Sequence, residues 1–473
     1  MLFWKLVPST LRASRYGQLR YLCELLPPSF EMNKVYYELP ASQIALEPRK
    51  RGESRLLHVR TSIGEDVALD HRTFKEIVGL MPSNAHIVFN NSRVLPARLW
   101  MGDPDNLTEV MLLQPTSPQS DPAVSMHIPC HGQVWTAMLR GGVKEVHPNQ
   151  TFASAFGVDK FGFKARIVEI DSIWEEANEE PGFEVSVIME TAGAHRSVAL
   201  EDALAAVGDI PIPPYLDRAT IAADSNTYQT VYSDKSKQGS VAAPTAGLHF
   251  DEAVLQAFEK KGVTCSFVSL HVGAGTFKPV NTVDINDHNM HSERFTVTQE
   301  QVRLISQARA NEQPLVCVGT TSVRLCETLY WCGVKKLLAG DKVDEESSLN
   351  LGQWDYIEIE KIWKARYLAT ELPSLNESLD ALLTSVGTNV DLAGVTSLCI
   401  TPGYKFHSCD HLVTNFHQAE STLMALVSAF LCDGPHFSAE EGVKRIKHVY
   451  QEALDKEYQF LSYGDSMFIQ KLS

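Results

Sequence analysis

The strongest constraint on the fold is a change in the hydrophobic pattern partway along the chain. Between Arg93 and Tyr215, short runs of alternating apolar and polar residues are separated by clusters of Gly, Pro, Asn and Asp. The clearest runs cover residues 109–113, 135–139, 161–167 and 183–189. Such runs predict strands, and without a long helix between them they predict a small β-barrel that ends at the proline-rich segment 210–215.

After Tyr215 the pattern becomes an alternation of strand, loop and helix. Helices are predicted over 252–261, 299–310, 323–331 and 421–432. Strands are predicted over 264–272, 315–318, 399–401 and 412–415, and another over 85–89, before the barrel. This alternation predicts an α/β domain whose mostly parallel sheet has helices on both faces and which carries the small β-barrel as an inserted domain.

The domain boundaries are predicted from these changes of pattern. The α/β domain comprises residues 32–92 and 210–473, and the inserted β-barrel comprises residues 93–209. An insertion of unknown role occupies residues 335–391; it is acidic at its start and rich in Leu, Ser and Asn later.

Residues 1–31 are interpreted as an N-terminal extension outside the fold. The basic residues of this segment are Lys5, Arg12, Arg15 and Arg20. No acidic residue precedes Glu24, a composition typical of organellar transit peptides; the alternative is a start codon placed upstream of Met32. We therefore expect a cytoplasmic protein, or an organellar one if the extension is a transit peptide.

Composition excludes several classes of protein. No apolar stretch approaches the ~20 residues of a membrane helix, so no membrane partner is expected. The nine cysteines are scattered without a Cys-x-x-Cys pair, which argues against a disulfide framework or a cysteine-rich zinc site. The cluster 407–411, which has a His at each end, is interpreted as a polar loop, and no metal is expected. A net charge of −16 means that any nucleic acid must be bound by a local basic surface.

Two segments rich in small residues indicate a binding site. Residues 240–250 read Ser-Val-Ala-Ala-Pro-Thr-Ala-Gly-Leu-His-Phe, and residues 271–277 read His-Val-Gly-Ala-Gly-Thr-Phe. Small side chains leave backbone amides open to a ligand, and each segment adds one histidine. Together with the loop 319–322, both segments are predicted to lie where strands end and helices begin, which is where α/β sheets bind ligands.

These and further motifs resemble the S-adenosylmethionine:tRNA ribosyltransferase-isomerases, a family of queuosine biosynthesis. The further motifs cover residues 37–40, 55–57, 90–98, 210–215, 228–232, 288–293, 318–324, 414–417, 421–423 and 462–465. They follow the family order from about Tyr37 to Met467. The resemblance implies an α/β domain with an inserted β-barrel, in agreement with the pattern above.

The resemblance also implies a reaction. Members of the family transfer and isomerise the ribosyl group of S-adenosylmethionine onto 7-aminomethyl-7-deazaguanine at the wobble position of tRNA with a GUN anticodon. The products are epoxyqueuosine-tRNA, adenine and methionine. S-adenosylmethionine is the co-substrate, no other cofactor and no metal is needed, and we expect a monomer.

Histidines in the matching motifs are the candidate catalytic residues, because imidazole is a base near neutrality. We assign this role to His249, His271 and His291, with His288 and His417 as further candidates. The alternative for each is a histidine that only hydrogen-bonds the backbone of a loop. His249 and His271 are both predicted to line the S-adenosylmethionine site.

Other residues of the motifs are candidates for binding the substrates. Those assigned to S-adenosylmethionine are Gly273, Gly275, Glu293, Thr276, Thr320, Thr321, Arg324, Asn415 and His417. Arg324 and Glu293 would hold the carboxylate and amine of its methionine part, and the alternative is a salt bridge between them.

Arg93 and Arg98 flank the barrel junction and are assigned to tRNA phosphates, with a solvated hinge as the alternative. The family pattern has a lysine where this chain has Glu420, which places a negative charge near the predicted site. The basic run 49–51 is a candidate to compensate, although such runs are more often solvated loops.

Two other functions compete with this hypothesis. A catalytically diverged paralogue would bind RNA through the barrel without reacting, and the intact His and Gly motifs argue against it. An ordinary S-adenosylmethionine methyltransferase would carry its glycine turn after the first strand of the sheet, whereas Gly273 and Gly275 come late in the chain.

Overall fold

The fold is taken from a computed structural model of the 473-residue chain. The structure describes residues 29–61, 67–154, 161–174, 182–273, 275, 280, 282–340, 349–368, 371–386, 390–432 and 438–472. Most of the N-terminal extension and parts of the 335–391 insertion therefore lie outside the described residues, and so does the predicted site residue Thr276.

The described strands and helices are numbered in chain order. The strands are β1 (Arg55–Thr61), β2 (Ala68–Thr73), β3 (His86–Asn90), β4 (Arg93–Val94), β5 (Arg98–Asp103), β6 (Asn106–Ser117), β7 (Val134–Arg140), β8 (Thr151–Ala153), β9 (Lys164–Trp174), β10 (Gly182–Glu190), β11 (Gly208–Asp209), β12 (Gln238–Ser240), β13 (Thr264–Leu270), β14 (Glu293–Val297), β15 (Leu315–Val318), β16 (Leu392–Thr396), β17 (His411–Asn415) and β18 (Ser466–Lys471). The α-helices are α1 (Ile77–Leu80), α2 (Pro122–Met126), α3 (Leu200–Val207), α4 (Asp224–Thr227), α5 (Glu252–Lys261), α6 (Gln299–Ala310), α7 (Thr320–Ala339), α8 (Asp355–Tyr367), α9 (Leu375–Ser385), α10 (Thr422–Leu431) and α11 (Ala439–Asp455).

The larger sheet is mixed. Its order within the described residues is β16-β14-β13-β3-β15-β17-β18-β1-β2. The central strands β13, β3, β15 and β17 run parallel, as do β18 and β1, whereas the pairs β16–β14, β14–β13, β17–β18 and β1–β2 are antiparallel. The prediction of an α/β fold is confirmed, but that of a mostly parallel sheet is not, because the chain adds antiparallel strands on both sides of the parallel centre.

The central strands are buried on both faces, as expected for parallel strands. Every residue of β3, β15 and β17 is buried. Alternate residues of β3 enter different cores: Val88 packs in a cluster with residues of α6, α7, α10 and α11, whereas Ile87 and Phe89 pack in a cluster with residues of α1 and α5. Helical residues therefore cover the central strands from both sides.

The second sheet is antiparallel and curled. Its order is β11-β5-β6-β7-β10-β9-β8 among the described residues. A bridge between Met101 and Ser154 links its two sides, so the sheet forms a half-barrel. It encloses a separate core that includes Trp135, Phe163 and Leu204. The curled antiparallel sheet agrees with the predicted barrel, and the exact domain boundaries at residues 93 and 209 remain predictions.

The described part of the 335–391 insertion adds α8 and α9 to the main core. The closest packing is at Gly333 of α7, where an added Cβ would lie 2.1 Å from the backbone oxygen of Ser378 in α9. Leu379 and Leu382 of α9 are buried in the same core as α7. The insertion therefore contributes packed helices to the far end of α7.

Candidate functional site

The two segments of small residues lie side by side. The backbone N–H groups of Val241 and Ala242 donate to the carbonyl oxygen of Val272 at 2.8 and 3.3 Å. In return, the N–H of Val272 donates to the hydroxyl oxygen of Ser240 at 3.0 Å, and this hydroxyl donates to that of Ser92 at 2.9 Å. Segments separated by about 30 residues in sequence are therefore fixed to one another at the end of β13.

The third loop meets the first at the start of α7. Gly319 has a φ of +85°, a conformation that favours glycine, and its N–H donates to the carbonyl of Val413 in β17 at 2.8 Å. A Cβ at this position would lie 3.7 Å from the Cβ of Ala246. Because β13 and β15 run parallel, the loops that follow them lie at the same carboxyl edge of the sheet, and the hydrogen bonds of Val241 and Ala242 to Val272 attach the first segment to this edge.

Among the histidines at this edge, His271 is the candidate whose ring nitrogens the described residues leave free to react. It follows β13 directly and its side chain is 5% exposed, yet neither ring nitrogen has a hydrogen-bond partner among the described residues. Burial lowers its pKa from 6.5 to about 4; Asp121 opposes this shift, and Lys237 and Arg294 reinforce it. The imidazole is therefore neutral near neutrality, with a lone pair that no described group occupies.

The space around the imidazole of His271 is tightly packed. A Cβ on Gly239 would lie 2.6 Å from Nδ1 of His271 and 2.8 Å from Cβ of Pro122, the first residue of α2. Helix α2 belongs to the region of the second sheet. The imidazole is thus enclosed where the two sheets meet.

His249 has a different environment because its ring is fully hydrogen-bonded. The amide nitrogen of Asn415 donates to the carbonyls of Leu461 and Ser462 at 3.0 and 3.2 Å, so its oxygen faces Nε2 of His249 at 3.0 Å. Nε2 must then carry the proton, and Nδ1 accepts from the hydroxyl of Ser54 at 2.8 Å. Burial lowers the pKa of His249 to about 4. The lone pair of Nδ1 is therefore occupied, and the imidazole of His249 bridges Ser54 and Asn415.

Glu293 and Arg324 form a buried ion pair. Oε2 of Glu293 accepts from Nη1 of Arg324, and Oε1 accepts from the N–H of Gly273 at 3.3 Å. Nε of Arg324 donates to the carbonyl of Leu398 at 3.1 Å, while Nη2 has no partner among the described residues. The alternative of a mutual salt bridge is therefore present in the structure, and it is attached to the glycine loop.

The remaining predicted residues lie at the same edge with unequal exposure. His291 is exposed, and a Cβ on Gly275 would lie 2.1 Å from its Cδ2. Nε2 of His417 is 2.8 Å from the hydroxyl oxygen of Thr414, and burial lowers the pKa of His417 to about 4. At the start of α7, Thr320 is buried, and the hydroxyl of Thr321 is buried without a partner among the described residues.

Comparison with known proteins identifies the family. The family model described as "Queuosine biosynthesis protein" matches residues 32–469, nearly the whole chain.

The chain belongs to the queuosine biosynthesis protein family.

This membership confirms the resemblance drawn from the sequence motifs. The chain is also similar to a crystal structure from Thermotoga maritima, that of an S-adenosylmethionine tRNA ribosyltransferase. The two sequences are 22% identical, the match covers 92% of this chain and 99% of that one, and the TM-score is 0.40.

The two arginines that we assigned to tRNA phosphates differ in the contacts that they make within this chain. Nη1 of Arg93 donates to the hydroxyl of Ser233 at 3.1 Å. Arg98 forms an ion pair with Glu109, at 3.1 Å between Nε and Oε1, and lies over the ring of Trp100. Arg98 is thus already neutralised by a carboxylate, which leaves Arg93 as the better candidate.

The basic run 49–51 lines a cavity next to His249. This cavity measures about 160 Å³, and His249, Ser54 and Tyr463 are among its lining residues. Arg49 is paired with the buried Asp465 at 3.1 Å. Arg51 donates to backbone carbonyls, including that of Asn226 at 3.0 Å. Structural partners therefore hold both arginines of the run.

Several residues around the site were not predicted from the sequence. Gly239 immediately precedes the first segment, so its small size was a signal that could have been used. Asp121 and Lys237 act on His271 from distant positions, and only the fold brings them there. Ser54 likewise reaches His249 from 195 residues away.

Two further features of the described residues concern metals and membranes. In that part of the chain, no group of three His, Cys, Asp or Glu side chains is arranged to hold a metal ion. Nor does the described part contain a helix of the length and apolarity needed to cross a bilayer. His407, from the cluster interpreted as a polar loop, is packed against the ring of Tyr330 at 4.0 Å between ring centroids.

Proposed function

We propose that the chain transfers and isomerises the ribosyl group of S-adenosylmethionine onto 7-aminomethyl-7-deazaguanine at the wobble position of a tRNA with a GUN anticodon. Epoxyqueuosine-tRNA, adenine and methionine would be the products. The observation that carries this proposal is His271: in a member of the queuosine biosynthesis family, a buried neutral imidazole without a partner among the described residues lies where two segments of small residues join.

The chemistry requires a base in a site sheltered from water. A sulfonium acidifies the C5′ hydrogens next to it, so His271 would accept one of these protons and leave an ylide. The electron pair at C5′ would expel O4′ from C4′, and the pair of O4′ would form a carbonyl at C1′ as adenine leaves with the electrons of its glycosidic bond and takes a proton. The amine of the modified base would then add to C4′ and lose a proton, which restores the carbanion at C5′. This carbanion would bond to C1′ and close the carbocycle, and the resulting alkoxide would form the epoxide by displacing sulfur from C5′, with the electron pair of that bond left on methionine. Burial of the base supports such a step because it excludes competing water.

Neighbouring groups would position the co-substrate. Gly273, Gly275, Thr320 and Thr321 would line the co-substrate site. Nη2 of Arg324, which has no partner among the described residues, would donate to the methionine carboxylate, while Glu293 keeps the guanidinium in place. His249, Asn415 and His417 would shape the adjoining wall, and His291 would act as acid at the exposed side.

An assay with two readouts tests the reaction. The protein is incubated with S-adenosylmethionine and a tRNA that carries the aminomethyl base; free adenine is measured by chromatography, and the tRNA is digested for nucleoside analysis. Adenine and epoxyqueuosine are expected in equal amounts. S-adenosylhomocysteine would instead identify a methyltransferase, and RNA binding without any product would identify the diverged paralogue. The monomeric state and the cytoplasmic location remain predictions.

A further inference from the structure

A groove between the strand pair β4–β12 and helix α3 is lined by basic residues on one side and acidic residues on the other. Its volume is about 400 Å³. One wall carries Arg93 of β4 and Lys235 of the short helix 235–237; the other carries Glu201 and Asp202 from the first turn of α3, with His127 beside them. His127 is engaged with Glu201 at 3.0 Å between Nδ1 and Oε1. This contact engages one of the two carboxylates of the acidic wall.

The basic wall has no such compensation. Arg93 donates to the hydroxyl of Ser233, and neither Arg93 nor Lys235 forms a carboxylate ion pair within the described residues. In a chain of net charge −16, two cations that form no carboxylate ion pair within the described residues give one side of this groove a local basic surface for an anion. An arginine fork and a lysine point charge are the side chains that bind phosphate oxygens.

The groove adjoins the candidate catalytic residue. Gln238 lines it, and the next residue, Gly239, lies against the ring of His271. A phosphate held on the basic wall would therefore lie beside Gln238, next to the glycine that packs against His271. The carboxylates opposite would repel that strand from the other wall and so fix its path.

We propose that this groove binds a backbone phosphate of single-stranded RNA on Arg93 and Lys235, while Glu201 and Asp202 confine the strand to the basic side. The inference rests on the proposed function for the identity of the RNA, the anticodon loop. Lys235 is thereby a phosphate-binding residue and Glu201 a residue that opposes RNA binding.

Binding of an RNA hairpin with the anticodon-loop sequence, measured by fluorescence anisotropy across a salt titration without S-adenosylmethionine, tests the proposal. Arg93→Ala and Lys235→Ala should each weaken binding and lower the salt slope by about one unit, since each loses one phosphate contact. Lys235→Arg should retain the slope. Glu201→Gln should tighten binding, because it removes a negative charge from the opposite wall.

Lys444→Ala is the matched control, an exposed lysine on α11, which does not line the groove. An unchanged affinity and salt slope in the Arg93→Ala/Lys235→Ala variant would overturn the proposal, and so would an equal change in Lys444→Ala. Because binding is measured without co-substrate, the two proposals can fail separately. A reduced salt slope in the double variant, together with no adenine release by the wild-type protein, would reject only the proposed reaction. Normal turnover with an unchanged KM for tRNA in the double variant would reject only the phosphate site in the groove.

Discussion

At the scale of single residues, two histidines with the same sequence context have opposite environments. Both belong to segments of small residues, and burial lowers the pKa of each to about 4. His249 is bonded on both ring nitrogens, whereas His271 has no partner on either within the described residues. Sequence predicted both at the site but could not separate them, because the hydrogen bonds of His249 come from Ser54 and Asn415, which are remote in the chain.

This difference predicts different consequences of replacement. His271→Ala should lower kcat by about a hundredfold or more while KM for S-adenosylmethionine changes only a few-fold, as expected for loss of a base. His249→Ala should instead lower the melting temperature, because it leaves the buried Asn415 oxygen unbonded at a cost of about 1–3 kcal/mol. Steady-state kinetics and thermal unfolding of both variants check this; normal turnover in His271→Ala would contradict it.

Two glycines next to His271 give a matched pair for stability. Gly239→Ala places a Cβ 2.6 Å from the imidazole and 2.8 Å from Pro122, so it should destabilise the protein by about 1–3 kcal/mol through overpacking. Gly273→Ala meets no atom of the described residues within 4 Å and should leave the unfolding free energy nearly unchanged. Urea denaturation of both variants measures this contrast, and equal stabilities would show that the packing around His271 is looser than described.

At the scale of secondary-structure elements, local pattern predicted the type of several segments but not how they pair. The strand predicted over 399–401 is wrong, because these residues lie in the loop after β16. The helix over 252–261 and the strand over 315–318 lie where the sequence placed them. The direction of β18 was not predictable, because it pairs antiparallel with β17 and parallel with β1, from opposite ends of the chain. Pairing of that kind depends on long-range packing, about which periodicity carries no information.

The ion pair that links β14 to α7 makes a prediction at this scale. Glu293→Gln leaves the Arg324 guanidinium buried without its counter-charge, which should cost about 3 kcal/mol or more. The double variant Glu293→Gln/Arg324→Gln should recover part of that loss, because no isolated charge remains. Chemical denaturation in a double-mutant cycle tests the coupling, and strictly additive effects would show that the two side chains act independently.

At the scale of the whole molecule, buried neutral histidines link stability to pH. Burial lowers the pKa values of His86, His249, His271 and His417 to about 4 and that of His407 to about 3, from an ordinary 6.5. Between these pKa values the unfolded chain binds protons that the folded chain does not. The contribution of these histidines to the free energy of unfolding is therefore complete above about pH 6.5 and is lost as the pH falls toward about 4. Each group contributes up to about 3 kcal/mol over this window.

The free energy of unfolding should therefore fall steeply as the pH is lowered from about 7.5 to about 5. The slope should correspond to several protons taken up on unfolding. His407→Gln should flatten the profile because it removes one of these groups. The exposed His147 serves as control, and His147→Gln should leave the slope unchanged. A profile that is flat between neutrality and about pH 5 would contradict the neutral, buried state assigned to these imidazoles.

The measurement that tests the central claim most directly is product analysis with wild-type protein and the His271→Ala variant. Both are supplied with S-adenosylmethionine and tRNA carrying the aminomethyl base. We expect wild-type protein to release adenine in step with formation of epoxyqueuosine in the tRNA, and the variant to form both about a hundredfold more slowly. Wild-type protein that forms neither product, or a variant that forms them at the wild-type rate, would contradict the account.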